Sequence, residues 1–200
     1  MTKWKGQAAS YAPNVMENIS RLVTGIFAVS AIAGLTVNSA ASADRYWDPN
    51  GTAVGRGGTG VWNLTSAFWS PGNDGVSGPF SAWNNNALDS AYFGGASSGT
   101  VTLEAPITAA SLFFETPGYI LNGGTLTLAG AKPTIASIGS STGVTINSVI
   151  TGTSGFTKTL AGTVELNGVN TFTGTISVEG GTLALNGDAA LGAAANHLVM

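Results

Sequence analysis

The sequence predicts an all-β chain wound as a right-handed parallel β-helix, a solenoid with an N-terminal β cap, preceded by a signal-peptide helix. Three observations predict it. Aliphatic residues alternate with polar ones in runs of about five, the period of a strand. Gly and Asn break those runs, where positive φ lets the chain turn sharply. Whole phrases then recur along the chain, the mark of a repeat architecture.

The leader comes first. Lys3, Lys5 and Arg21 precede a mostly apolar run from Leu22 to Val37, followed by Ala41-Ser42-Ala43 and a polar, aromatic stretch from Asp44. This is the pattern of a signal peptide, residues 1–43, with Ala41 and Ala43 as the small residues of the cleavage site and the cut after Ala43. A membrane anchor fits less well, because Thr24, Gly25, Ser30, Gly34 and Thr36 interrupt a run that is short for a span. Met16 offers a second start. Export without a single cysteine points to a Gram-negative surface or secreted protein.

Residues 44–98 read as a cap. Trp47, Trp62, Trp69 and Trp83 lie there among Asn, Asp and Gly, with Phe68, Phe80 and Phe93. A solenoid's first coil has no neighbour above it, so an atypical segment must cover its apolar end and open strand edges. Large aromatic side chains serve that purpose. Asn73-Asp74-Gly75 and Asn84-Asn85-Asn86 then read as turns. The same four tryptophans are also candidate glycan contacts, if exposed beside Asn and Asp.

Coils follow over 99–200. Val101/Leu103, Leu112/Phe114, Leu126/Leu128, Ile135 and Val144/Ile146 are the inward candidates, with Pro106, Pro117 and Pro133 at corners that need no ladder donor. Gly99-Thr100-Val101-Thr102-Leu103 matches Gly162-Thr163-Val164-Glu165-Leu166, and Gly123-Gly124-Thr125-Leu126-Thr127-Leu128 matches Gly180-Gly181-Thr182-Leu183-Ala184-Leu185. The matched pairs stand 25, 38 and 19 residues apart, which gives coils of 19 to 25 residues. Burial within one coil does not offset the entropy of ordering it, so coils must stack. Asn122, Asn147, Asn167 and Asn186 are placed to stack at turns. The final residues 196–200 read as the start of another strand, so the chain is expected to break off in mid-coil, as a fragment or with a sticky last edge.

Composition excludes several classes. Gly is 29 of 200 residues, charged residues are 8% and hydrophobic ones 44%, which fits neither a helical bundle nor a disordered tail. Without the leader, nine acidic residues face four basic ones, a charge of −5, so nucleic acid is not an expected partner. No cysteine means no disulfide, thiolate metal site or thiol nucleophile.

Residues 155–192 closely resemble the autotransporter-associated β-strand repeat of bacterial autotransporter passenger domains. Lys158, Gly162-Thr163, Leu166, Gly168, Asn170-Thr171-Phe172-Thr173-Gly174 and Gly180-Gly181-Thr182-Leu183 carry the resemblance; the family usually has Gly where this chain has Leu160. Tyr46-Trp47-Asp48, Gly57-Gly58-Thr59-Gly60, Trp62, Trp83-Asn84-Asn85 and Phe93-Gly94-Gly95 are similar to openings of these passengers. The resemblance implies a β-helix exported by the Sec machinery, carried over the outer membrane by a C-terminal translocator barrel, and displayed at the cell surface or released. Its repeat would assist folding and transport and would specify no substrate. Strands suited to such a barrel are absent after Gly192.

Catalytic motifs are weak. Gly95-Ala96-Ser97-Ser98-Gly99 and Gly139-Ser140-Ser141-Thr142-Gly143 satisfy GxSxG, but each needs a following helix and a histidine base, and the sole histidine is His197. Gly55-Arg56-Gly57-Gly58-Thr59-Gly60 satisfies GxGxxG without a preceding strand or following helix, so a glycine loop is expected. Glu104, Glu115, Glu165, Glu179 and Asp188, with Lys132 and Lys158, read as scattered solvated charge, with no metal, cofactor or catalytic residue to name. The expectation is a non-catalytic, surface-exposed passenger segment; an adhesin or glycan-binding module acting on a host or matrix surface is the second reading.

Overall fold

The computed structural model describes residues 42–139 and 143–200. Residues 1–41 of the leader, Ala41 among them, and the centre of the second GxSxG match lie outside the described residues. The rest is a β-solenoid of short strands. The first coil holds β1 (Asp44–Trp47), β2 (Gly60–Trp62) and β3 (Trp69–Ser70), and the second β4 (Ser90–Phe93), β5 (Thr100–Leu103) and β6 (Ile107–Ala109). The third holds β7 (Ser111–Phe114), β8 (Ile120–Gly123) and β9 (Thr125–Leu128); the fourth β10 (Thr134–Ser137), β11 (Val144–Ile146) and β12 (Val149–Thr151). Later coils carry two strands each, β13 (Phe156–Thr159) with β14 (Thr163–Leu166), then β15 (Thr175–Val178) with β16 (Thr182–Leu185). A 3₁₀ turn at Asp188–Leu191 leads to β17 (His197–Val199).

Three sheets form the walls. The first runs β3-β1-β4-β7-β10-β13-β15-β17, the second β2-β5-β8-β11-β14-β16 and the third β6-β9-β12. Every ladder is parallel except β1 with β3, where Trp47 faces Trp69. Such stacking follows from the alternation: Val101, Leu121, Ile146, Leu166 and Leu185 stand in one inward column, at spacings of 20, 25, 20 and 19 residues. The expected inward residues from Val101 to Ile146 are all buried, as are Val164, Leu166 and Ile176.

Two sequence expectations are corrected by register. The coils begin at β1 and not at residue 99, because β1 pairs with β4 and β2 with β5 in the same parallel ladders as every later coil. The match of 123–128 with 180–185 also joins different walls: β9 lies in the third sheet and β16 in the second. A Gly-Gly corner followed by Thr-Leu-x-Leu encodes a turn and a strand, and a three-walled coil can use that phrase at more than one corner.

In and after the first coil the four tryptophans pack into one cluster. Trp62 packs on Trp69 and Trp83 with centroids 4.9 Å apart, and Trp69 lies 4.6 Å from Trp83. The third sheet is stopped by side-chain amides at both edges. Asn85 accepts from the Thr108 amide at 2.8 Å and donates to the Pro106 carbonyl at 2.9 Å, standing where a strand beside β6 would bond. At the other edge Asn170 serves β12. The sequence reading of Asn84-Asn85-Asn86 as a turn therefore holds only the backbone part of their role.

Candidate functional site

The repeat residues meet where one coil passes to the next. Lys158 occupies the inward column of the first wall, in register with Leu112, Ile135 and Val178. Its Nζ donates to the carbonyls of Thr159 (2.8 Å), Leu160 (3.0 Å) and Gly180 (2.9 Å), so all three N–H groups are used. Burial lowers its pKa from the ordinary lysine value. The side chain is 0% exposed, which corrects the expectation of solvated charge. The signal was present in the alternation Phe156-Thr157-Lys158-Thr159, which puts Lys158 on the same side as Phe156.

Leu160, beside that ammonium, has φ 62, the left-handed conformation. This is the position where the resembled family carries Gly, and the corner keeps the glycine conformation with a leucine in it. Gly181 has φ 68, and a Cβ there would stand 2.3 Å from the Gly162 carbonyl oxygen, so that corner requires glycine. Gly162 donates to the Ser137 carbonyl at 2.8 Å, and Thr182 to that of Gly162 at 3.2 Å. Leu183 pairs in register with Val164 and is partly buried.

Asn170 ties three coils together. Its Oδ1 accepts from the Ile150 amide at 2.7 Å and its Nδ2 donates to the Ala190 carbonyl at 2.8 Å. Thr171 and Thr173 send their amides to the Ile150 and Gly152 carbonyls at 2.9 Å and keep exposed side chains. Phe172 is buried edge-on against Phe156, 5.4 Å between centroids, and Gly174 donates to Asn196 Oδ1 at 2.9 Å. Outside, Asn147 donates to Asn122 at 2.6 Å and Asn167 to Asn147 at 2.9 Å; Asn186 stands one coil on, its amide bonded to the Leu166 carbonyl at 3.0 Å. Three of the four expected asparagines thus form a ladder.

The tryptophans cannot act as a sugar platform. Trp47, Trp62, Trp69 and Trp83 are at most 3% exposed, packed face and edge against one another and Phe93. Trp47 Nε1 donates to the Gly58 carbonyl and Trp83 Nε1 to that of Thr108, both at 2.9 Å. Indoles taken up by the core have no face left for a pyranose ring.

The glycine loop 55–60 is a corner fastening. Tyr119 accepts from the Gly58 amide at 3.1 Å and donates to the Gly94 carbonyl at 2.9 Å, while Arg56 pairs with Glu115 at 2.6 Å. Gly95 has φ 105, and a Cβ there would meet the Arg56 carbonyl oxygen at 1.8 Å. Ser97 forms a parallel bridge with Gly57, so the first GxSxG match lies in a turn between walls. Asp48 is fully buried with neither carboxylate oxygen bonded, and desolvation pushes it up to about 6. Asp74, in its own turn with Ser77, is held down to about 2 by hydrogen bonds from Ser77 and Val76. Ala43 donates to Asp89 Oδ1 at 2.9 Å and its carbonyl accepts from Ser90 at 2.9 Å. Among the described residues no three His, Asp or Glu side chains gather as metal ligands, and no helix is long and apolar enough to cross a membrane.

No protein-family model matches the chain, and no solved structure matches it. The chain is 57% identical over 198 residues, 99% of its length, to the adhesin BmaC autotransporter of Brucella suis biovar 1 (strain 1330), of which it spans 6%. The chain is thus a β-solenoid of parallel coils, similar along nearly its whole length to a short segment of that autotransporter.

Proposed function

We propose that this chain is a non-catalytic, surface-displayed part of an autotransporter passenger whose repeat contacts help the solenoid fold as it emerges. In this proposal the leader 1–43 directs Sec export, a translocator barrel outside these residues carries the passenger over the outer membrane, and 155–192 stacks the next coil. One observation carries it: Lys158 and Asn170 spend their polar groups on neighbouring coils, reaching Gly180 and Ala190 on one side and Ile150 on the other. The charged groups near the cap are likewise committed to structure, Arg45 to Asp89 and Arg56 to Glu115.

An epitope inserted at Val54, which is 91% exposed, tests display in the full-length protein. Intact cells should bind the antibody; labelling only after lysis would overturn surface display. Asn170→Ala in the same protein should lower the protease-resistant amount at the surface, and an unchanged amount would remove the folding role. Adhesion to a host or matrix surface is the second proposal, favoured by the relative's being named an adhesin.

A further inference from the structure

Arg45 begins the inward column that continues through Ala91, Leu112, Ile135 and Lys158. Among the described residues no parallel strand pairs with it on the far side, and its side chain is 29% exposed. Asp89, 6% exposed, fixes it: Oδ2 takes the Arg45 Nε proton at 2.9 Å while Oδ1 takes the Ala43 amide. Among the described residues the two Nη groups of Arg45 have no partner. Arg45 and Asp89 line a cavity of about 220 Å³ that Ser81, Ala82, Trp83, Asn84 and Ala87 complete.

The lining holds one cation and one anion, joined as an ion pair. Asp89 is paired with Arg45 Nε, while Arg45 keeps its outer fork, with the Ser81 hydroxyl and the Asn84 carboxamide nitrogen as further donors unpaired among the described residues. A donor-rich pocket with an oriented guanidinium suits a carboxylate, which Arg receives with two parallel hydrogen bonds. Ala82 and Ala87 give an apolar part of the lining for the C–H face of a ring. The volume admits one pyranose and not two. We propose that this cavity binds one acidic sugar unit, a hexuronate, of a surface glycan.

The pocket would serve the adhesive role proposed above, yet it can be tested apart from it. With the purified chain, titration of methyl β-glucuronide followed by calorimetry should give a Kd of about 1 mM, given so few ligand atoms. Methyl β-glucoside should bind at least tenfold more weakly, and added salt should weaken the glucuronide. Arg45→Gln should abolish binding. Ala87→Leu, which fills the cavity and spares the ion pair, should weaken it at least tenfold with unchanged thermal unfolding. Equal binding of the glucoside, equal binding of acetate, or no heat with glucuronide at about ten times that Kd would each overturn the proposal. A chain that binds glucuronide but never reaches the surface leaves the pocket standing and removes the display; a displayed chain that binds none removes the pocket alone.

Discussion

The Oδ1 atom of Asn170 lies 2.7 Å from the amide nitrogen of Ile150, across a coil boundary and out of reach of solvent. The third wall therefore ends on a side chain where a strand would otherwise continue. This exchange costs no unpaired backbone group, because the same carboxamide also serves Ala190.

Replacing Asn170 by Ala should leave the Ile150 amide and the Ala190 carbonyl unpaired in a buried place. A loss of about 2–4 kcal/mol in unfolding free energy is expected, read as a lower urea midpoint with an unchanged slope.

Lys158→Met keeps the length and apolar stem of the side chain but removes three donors. The carbonyls of Thr159, Leu160 and Gly180 then lose their partner, and stability should fall by about 2–3 kcal/mol. Were Lys158 an ordinary surface lysine, equilibrium unfolding would show a change within about 0.5 kcal/mol.

Leu160→Gly should act in the opposite direction. The residue is half exposed and left-handed, so glycine relieves backbone strain at little loss of burial, and a gain of about 0.5–1 kcal/mol is expected in thermal or urea unfolding. Leu160→Ala, with a Cβ retained, should give no such gain.

Asp48 supplies a pH dependence of defined sign. Its folded pKa of about 6 exceeds the ordinary 3.8, so the folded state holds the proton more tightly. Stability from this group is greatest below pH 3.8 and declines as pH rises through about 6, by about 3 kcal/mol in all. Asp48→Asn should remove that decline and raise the unfolding midpoint at pH 7, with tryptophan emission reporting the cap. An unchanged pH profile would show that the carboxylate is hydrated in solution.

Much of the fold was legible because burial and alternation coincide: Val101, Leu112, Leu126 and Val144 each stand one residue from an outward Thr, Phe or Ser. Which wall a strand joins was not legible, since Gly124-Thr125 and Gly181-Thr182 spell the same corner and the register that separates them is non-local. The repeat residues were named by their pattern, but the work of Lys158 and Asn170 depends on carbonyls about twenty residues away. The Arg45 pocket was hidden for a similar reason: Asp89 lies 44 positions along the chain, and nothing in the local text of either residue announces the other.

Asn85 and the reversed strand β3 give the solenoid a polarity. One closes the starting edge of the third wall, and the other leaves the first wall with a strand running the wrong way to template a parallel coil. In the vocabulary of filaments, these two walls offer no parallel template at this end, so a second molecule cannot continue them head to tail. Elongation is one-way, and each coil that forms can recruit only what the chain delivers after it.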